Sequence, residues 1–356
     1  MQLHELVAGI HPVHDAAAKA CIARFDQIAK PVGSLGRLEE LLARIAAVAG
    51  APEIDIGRKA VVVFCADNGV VQENVTQSDA SVTRIVARKI AAGQGNINAM
   101  ACTIGADVAC VDVGMLEGEG HPNLMERVIA RGTNNIAQGP AMSLAQANQG
   151  MAIGISLVKE LADSGYRIIA IGEMGIGNTT TSSAVAAALL GLPVEDVVGR
   201  GAGLSDEGLV RKRAVIARAI ALNKPDSTDP IDVLCKLGGF DMAVMCGAFL
   251  GGAKYGVPML IDGLISAVAA LLAARVAPDA KNYMLASHVS REPLGLSVLD
   301  ELALCAPIHA GMALGEGTGA VMMLGLLETA LSVYRQNTTM GSMGLAQYEH
   351  FDEVQT

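Results

Sequence analysis

The stretch KAVVVFCAD, residues 59–67, is the clearest sign of fold class in this chain of 356 residues. Its apolar residues are continuous rather than alternating, as in a parallel strand that is covered on both faces. Four more runs of this kind predict buried strands at residues 107–114, 167–173, 257–263 and 283–288.

Polar side chains stand at or near the end of each predicted strand. They are Asp67, Asp112, Glu173, Asp262 and His288. Ligands of open parallel sheets bind beyond the carboxyl ends of the strands, so we expect these side chains to converge on one site. An acid or a His can also simply begin a loop, and one such residue alone would mean little.

Segments with helical spacing separate the strands, at residues 38–49, 81–92, 151–164, 182–190 and 207–223. This alternation predicts a doubly wound α/β fold with a parallel sheet. Helix-like sequence also precedes the first strand and follows the last, most clearly at residues 320–334. We therefore predict a large α/β domain at residues 55–289 and a small helical domain formed by residues 1–54 plus 290–356.

Composition limits the partners and the compartment. The formal net charge is −10, and the sequence has no run of Lys or Arg that could bind along the phosphate backbone of a nucleic acid. Nucleic acid is therefore not an expected partner. The first residues lack the order of a signal peptide, and the longest uncharged apolar stretch, residues 264–274, is too short to cross a bilayer. We expect a cytoplasmic protein without a membrane partner. The seven Cys lack a C-x-x-C pair, which favours reduced core thiols over a zinc site.

Two glycine-rich turns are suited to a phosphate or ribose. GEMGIGNTT, residues 172–180, follows a predicted strand and opens a helix, where free N–H groups attract anions. Its glycine order is neither that of a dinucleotide fingerprint nor that of a P-loop, and such a turn is otherwise an ordinary strand–helix connection. GRGAGL, residues 199–204, precedes a helix with Lys212, which is either a phosphate ligand or a solvated helix residue.

Two further clusters have different meanings. GEGTGA, residues 315–320, places Glu316 between glycines before the last apolar helix. Spacing alone favours an acid that the dipole of this helix stabilises, and the alternative is a general base that desolvation would have to strengthen. KPVGSLGRLE, residues 30–39, predicts a helix–loop–helix and no chemistry.

Taken together, the motifs resemble those of the nicotinate-nucleotide–dimethylbenzimidazole phosphoribosyltransferases over nearly the whole chain. The matching stretches are residues 30–39, 65–70 (CADNGV), 172–180, 199–204, 236–241 (KLGGFD) and 314–320 (LGEGTGA). The resemblance implies a Rossmann-like large domain, a small helical domain from both termini and a dimer. It also implies that nicotinate mononucleotide gives its ribose 5-phosphate to 5,6-dimethylbenzimidazole, yielding α-ribazole phosphate for the nucleotide loop of a cobamide.

The resemblance also assigns roles by position. Glu316 is the base that takes the proton of the acceptor, and Glu173 belongs to the donor-binding loop. Because the reaction develops positive charge at the ribosyl centre, Glu173 is also the expected anionic group beside it. The donor-binding residues are Gly175, Gly177, Asn178, Thr179, Thr180, Gly201, Gly203 and Lys212, and the acceptor-binding residues are Ser78, Val86 and Leu314. No metal and no cofactor is expected, because a pyridinium ring leaves without protonation or a pyrophosphate-bound Mg²⁺.

Two positions depart from the pattern of many relatives. Asn68 stands where His is usual, and Val86 stands where Gln is usual. Both departures bear on the acceptor, which could be another base or a phenol.

Two other functions compete with this one. An oxidoreductase is disfavoured because no G-x-G-x-x-G follows the first strand. A weakly active subunit of a heterodimer with a paralogue is disfavoured because Glu173 and Glu316 are both retained.

Overall fold

The centre of the fold is a parallel sheet. A computed structural model describes residues 3–336 and 338–349, and within these residues the sheet has six strands in the order β3-β2-β1-β4-β5-β6. The strands are β1 Lys59–Ala66, β2 Asp107–Gly114, β3 Leu124–Glu126, β4 Ile168–Met174, β5 Met259–Ile261 and β6 Met284–Ala286. All neighbouring pairs are parallel, and the order reverses direction between β1 and β4. The predicted doubly wound α/β sheet is confirmed.

Helices cover both faces of the sheet. They are α1 Leu3–Val7, α2 Asp15–Gln27, α3 Arg37–Ala49, α4 Ser81–Ala91, α5 Asn96–Thr103, α6 Leu144–Asp163, α7 Asn178–Leu190, α8 Val194–Val197, α9 Asp206–Asn223, α10 Pro230–Leu237, α11 Phe240–Tyr255, α12 Leu264–Val276, α13 Gly295–Glu301 and α14 Thr318–Tyr334. No helix in the described part of the chain is long and apolar enough to cross a membrane.

Strand β1 shows why its sequence is apolar throughout. Val61 and Val63 pack into the core on the side of α3 and α14, whereas Val62 and Phe64 pack into the core on the side of α6 and α11. Every residue of the strand is buried. A strand with two buried faces has no polar face, so alternation is absent.

Two elements lacked a usable signal in the sequence. Strand β3 has only three residues, and it pairs through Cys110 to Asp112 of β2 at the edge of the sheet. Helix α11 is buried on all sides, so its apolar residues show no stripe with a helical period. Helix α6 begins at Leu144, before the predicted start, because Ser143 caps it and accepts a hydrogen bond from the Gln146 backbone N–H.

Helices α3 and α14, from the N-terminal and C-terminal parts of the chain, meet on one face of the sheet, whereas α1 and α13 pack on the other face. Helix α14 packs against α3 and α5, and a backbone bridge joins Ile28 to Thr339. These helices share an apolar core with β1 and β4. The division at residues 54 and 290 stays a prediction, as does the structure of residues 350–356, which lie outside the described part.

Candidate active site

A cleft opens beyond the carboxyl ends of β4, β5 and β6. It has a volume of about 270 Å³. Polar lining residues include Glu173, Asn178, Thr179, Asp262, His288, Glu292 and Glu316. Apolar ones include Val86, Ile176, Leu264 and Leu314, and Gly201 contributes backbone. The cleft lies where ligands of doubly wound sheets bind, close to the reversal of strand order.

Only three of the five side chains at the predicted strand ends line this cleft. Asp112 instead accepts hydrogen bonds from the Gly114 and Met115 backbone N–H groups at 3.0 and 2.8 Å. It also forms ion pairs with Arg84 and Arg131. Asp67 accepts from the Leu116 N–H at 2.8 Å. The expectation that all five converge is therefore wrong for Asp67 and Asp112, because both are used to hold the loop after β2.

The turn that carries Glu316 packs directly on strand β4. Glu316 has a φ of +62°, between glycines with φ of +81° and +89°. A Cβ on Gly172 of β4 would come within 2.5 Å of the Glu316 carbonyl group, so only Gly permits this approach. The Glu316 N–H donates to the Glu173 carbonyl oxygen at 3.3 Å. A non-Gly residue with positive φ is strained, and this turn places two glutamates side by side.

The side chain of Glu316 does not lie at the N-terminus of α14. Its carboxylate accepts from the Ile97 N–H, in the first turn of α5, at 3.3 Å. The acid at the start of α14 is Asp262, which accepts from the N–H groups of Gly317, Gly319 and Ala320 at 3.1, 2.7 and 3.1 Å. The dipole interpretation of Glu316 that spacing favoured is thus wrong for α14.

Burial sets the proton affinity of Glu316. The residue is only 6% exposed, and this desolvation raises the pKa of the carboxyl, while hydrogen bonds from Ile97 and Asn96 partly offset the rise. A raised pKa makes the carboxylate a stronger base. The desolvation that a general base at this position requires is already present in the fold.

Glu173 belongs to a buried network of acids. The amide of Asn178 donates both to Glu173 and to Asp241, the latter at 3.2 Å. Burial first, and then the charge of Asp241, raise the pKa of Glu173 to about 8. The carboxyl is therefore mostly protonated at neutral pH, and a bound cation would favour its ionised form.

On the opposite side of the cleft, the N–H of the lining residue Gly201 and the ammonium group of Lys212, which is buried behind the lining, form a candidate anion site. Lys212 is completely buried and donates to Thr179 Oγ1 at 2.9 Å. A Cβ on Gly201 would come within 3.4 Å of the Lys212 Nζ. Burial lowers the pKa of Lys212 to about 8. The alternative that Lys212 is a solvated helix residue is wrong.

The remaining residues singled out in the sequence take several positions. Gly175, Asn178 and Thr179 line the cleft, as do Val86 and Leu314. Gly177, which directly precedes α7, and Thr180, in the first turn of that helix, lie behind this surface. Ser78 lines a neighbouring cavity, which also contacts Gly177 and shares five lining residues with the cleft: Gly175, Ile176, Asn178, Thr179 and Ala202. Gly203, with a φ of +96°, accepts a hydrogen bond from Gln77 through its carbonyl.

Asn68 lies outside the lining of the cleft. It is buried behind α7, where its Oδ1 accepts from Thr181 Oγ1 at 3.4 Å. This departure from the pattern of relatives therefore changes the support of α7 rather than the wall of the cleft.

Two functional candidates had no assigned role in the sequence, Asp241 at the end of KLGGFD and Glu292. Among the described residues, no group of three or more His, Cys, Asp or Glu is arranged to hold a metal ion.

Comparison with known proteins agrees with this geometry. A family model described as a phosphoribosyltransferase matches residues 10–345. The chain belongs to this phosphoribosyltransferase family. The nicotinate-nucleotide–dimethylbenzimidazole phosphoribosyltransferase of Acetivibrio thermocellus is 44% identical over 92% of this chain and 93% of its own. The enzyme of the same name from Clostridium acetobutylicum is 41% identical over 98% and 99%. The crystal structure of CobT from Thermus thermophilus has a TM-score of 0.87 and 39% identity, covering 94% of this chain and 99% of that one.

The buried Glu173 of this phosphoribosyltransferase predicts an unusual dependence of stability on pH. Its pKa is about 8 in the fold against an ordinary value of 4.5, so the native state keeps a proton that the unfolded state loses between these pH values. The free energy of unfolding should therefore fall as pH rises through this window. Glu173→Gln should lack this pH dependence. The free energy of unfolding of the variant minus that of the wild type should therefore increase by on the order of 3 kcal/mol from pH 5 to pH 8.

The measurement is urea unfolding of both proteins at a series of pH values. Glu40→Gln is the matched control, because the Glu40 side chain is 60% exposed on α3. A stability difference between Glu173→Gln and wild type that stays constant with pH would contradict the raised pKa.

Proposed function

We propose that this phosphoribosyltransferase moves ribose 5-phosphate from nicotinate mononucleotide to 5,6-dimethylbenzimidazole or a related aromatic acceptor, and releases nicotinate. One observation carries the proposal. A single cleft is lined by the buried carboxyl groups of Glu173 and Glu316 on one side and by Gly201, directly in front of the buried Lys212, on the other. The names of the relatives support the same reaction.

The donor is a molecule with an anionic and a cationic end. Its phosphate is proposed to bind at the anion site, where the Gly201 N–H and the Lys212 ammonium group can donate to it once the phosphate displaces their partners in the structure, Glu292 and Thr179. Its pyridinium ring and C1′ then lie towards Glu173, Asp262 and Glu316, which line the rest of the cleft. Carboxylates near C1′ stabilise the positive charge that grows there as the ring departs.

The acceptor completes the reaction at C1′. Glu316 takes the proton from one ring nitrogen of the benzimidazole, and the other nitrogen attacks C1′. The bond from C1′ to the nicotinate nitrogen breaks, and its electron pair stays on that nitrogen. Neutral pyridine is a good leaving group, so no general acid is required on the donor side. With a phenol, Glu316 would take the hydroxyl proton and oxygen would attack.

Product analysis of the purified chain tests the proposal. Nicotinate mononucleotide and dimethylbenzimidazole should give α-ribazole phosphate and nicotinate in equal amounts, identified by mass spectrometry, with and without a chelator. Phosphoribosyl pyrophosphate in place of the donor should give no product. Product that forms only with the pyrophosphate donor would overturn the proposal.

The active form is proposed to be a dimer of this chain, or of this chain with a paralogous subunit. Light scattering gives the mass of the purified chain, and turnover by that chain alone distinguishes the two. A chain without turnover that becomes active when a paralogue is added would favour the heterodimer.

Val86 is expected to influence the choice of acceptor. It lies on α4 and lines the cleft, where an apolar wall cannot recognise the second ring nitrogen of a benzimidazole. Val86→Gln introduces an amide that can do so, and should shift the preference from p-cresol towards dimethylbenzimidazole by about ten-fold. Competition between the two acceptors gives the ratio of kcat/KM values.

Ile85→Gln is the matched control for this variant. Ile85 is the preceding residue of α4, is 53% exposed and is not part of the cleft lining. It should leave the acceptor ratio unchanged. The prediction for Val86 is wrong if both variants rank the acceptors as the wild type does.

A further inference from the structure

The carboxylate of Glu292 lies in the anion site. Its Oε1 accepts a hydrogen bond from the Gly201 N–H at 3.0 Å. Glu292 also lines the cleft, beside Ser290 and His288. The anion site is proposed to bind the phosphate of nicotinate mononucleotide. One of its two hydrogen-bond donors, the Gly201 N–H, is therefore already occupied by an anionic side chain of the protein itself.

The second oxygen of Glu292 has no stabilising contact of its own. Within residues 3–336 and 338–349, its Oε2 is buried and has no hydrogen-bond partner. It faces the Cα of Gly199, where even a Cβ would collide with it. A buried carboxylate oxygen without a donor loses its hydrogen bonds to water and forms no others. This position is therefore energetically unfavourable for the side chain.

The buried cation Lys212 interacts electrostatically with Glu292. The charge of Glu292 favours the protonated form of this buried lysine, which otherwise has only the hydroxyl of Thr179 as a partner among the described contacts. Glu292 thus resembles a ligand in its chemistry, since it brings one negative charge and an oxygen acceptor to the same donors that a phosphate would use.

We propose that Glu292 is an internal competitor for the phosphate of the donor, and that it determines which anions the anion site admits. This inference rests on the proposed function, because that function makes a phosphate monoester the occupant. A phosphate and the Glu292 carboxylate cannot share the Gly201 N–H, and their like charges repel at this distance. The side chain has to move out towards the open cleft when the phosphate binds.

The consequence is selectivity by charge and by number of acceptors. A phosphate monoester has three terminal oxygens and up to two negative charges, so it forms more charge-assisted hydrogen bonds than a carboxylate. It can displace Glu292, whereas a small monoanion gains too little. The donor and the phosphorylated product have the same 5′-phosphate, so Glu292 weakens the binding of both, which favours product release.

Glu292→Gln tests the proposal because it keeps an oxygen that can accept from the Gly201 N–H and removes the charge. Titration calorimetry of wild type and variant would use three ligands: inorganic phosphate, nicotinate mononucleotide and nicotinate riboside. We expect the variant to bind the first two about ten-fold more tightly, equivalent to about 1.4 kcal/mol, and the riboside with unchanged affinity. Glu292→Ala should show the same direction.

Glu207→Gln is the matched control, since it changes net charge equally and lies exposed on α9, the helix of Lys212. It should leave all three affinities unchanged. Weaker binding of nicotinate mononucleotide to Glu292→Gln would overturn the proposal and make Glu292 a direct ligand of the donor. Equal phosphate affinity in wild type and both Glu292 variants would also overturn it.

These outcomes do not depend on turnover. A wild-type chain that binds phosphate but transfers no phosphoribosyl group would contradict the proposed function and leave the competition intact. If Glu292→Gln binds phosphate more tightly but Lys212→Met binds it as well as the wild type does, the phosphate lies elsewhere and the competition at this site is refuted.

Discussion

Glu316→Gln is expected to lower kcat by about 10²–10⁴-fold, which is the usual loss when a positioned base is removed. Gln can still accept the hydrogen bond that the Ile97 N–H donates to this side chain, so the turn and the cleft should keep their shape. It cannot take a proton from the acceptor. Donor affinity should therefore stay close to that of the wild type while the chemical step slows.

The pH profile gives an independent measurement of the same group. A base must be ionised to act, so kcat/KM of the wild type should fall as pH falls through the pKa of Glu316. Burial raises this pKa above the ordinary value of 4.5, and the acid limb should lie correspondingly higher. Glu316→Asp should keep an acid limb with reduced kcat, whereas Glu316→Gln should lose it. Near-normal turnover by a folded Glu316→Gln protein would exclude this residue as the base.

Lys212→Met is expected to weaken the binding of nicotinate mononucleotide by about 100-fold, equivalent to about 2.7 kcal/mol. The reason is the loss of the only cationic donor that the described structure places in the anion site, next to the Gly201 N–H. Met fills much of the space of the completely buried lysine stem, so the effect on binding is separated from that of a cavity.

Lys159→Met is the matched control, because Lys159 lies on the surface of α6 with its side chain 54% exposed. Thermal unfolding shows whether each variant is folded, and calorimetry gives the donor affinity. An unchanged affinity in folded Lys212→Met would move the phosphate away from Gly201. Nicotinate riboside, which has no phosphate, should bind wild type and variant equally.

The sheet was largely predictable because its strands are buried on both faces. Residues 59–67 contain β1, whose residues are all buried, but the register of β1 with β2 and β4 was not predicted. Helix α11 was not predictable by period, since a helix buried on all sides has no polar face. Edge strand β3 depends on its pairing with β2 rather than on its own three residues.

The site was predictable only where a local motif defines it. Glycines around Glu316 and before Lys212 indicated tight turns at a cleft, and both turns are there. Long-range contacts had no local signal. Asp262 caps a helix that begins 56 positions later in the chain, at Thr318, and Glu292 reaches Gly201 across the cleft. Strand-end acids such as Asp112 look alike in sequence, whether they face a ligand or bind their own loop.

The contact between Glu316 and Ile97 joins residues 219 positions apart. Ribosomes release the N-terminal part of a protein first, at about 5–20 residues per second. The residues of all six strands, the last of which ends at Ala286, are therefore synthesised before the proposed base, and the contact with Ile97 can form only after Glu316 has left the ribosome. A chain that stalls before Glu316 also lacks α14, which covers one face of the sheet, so we expect such a chain to be both inactive and incompletely folded.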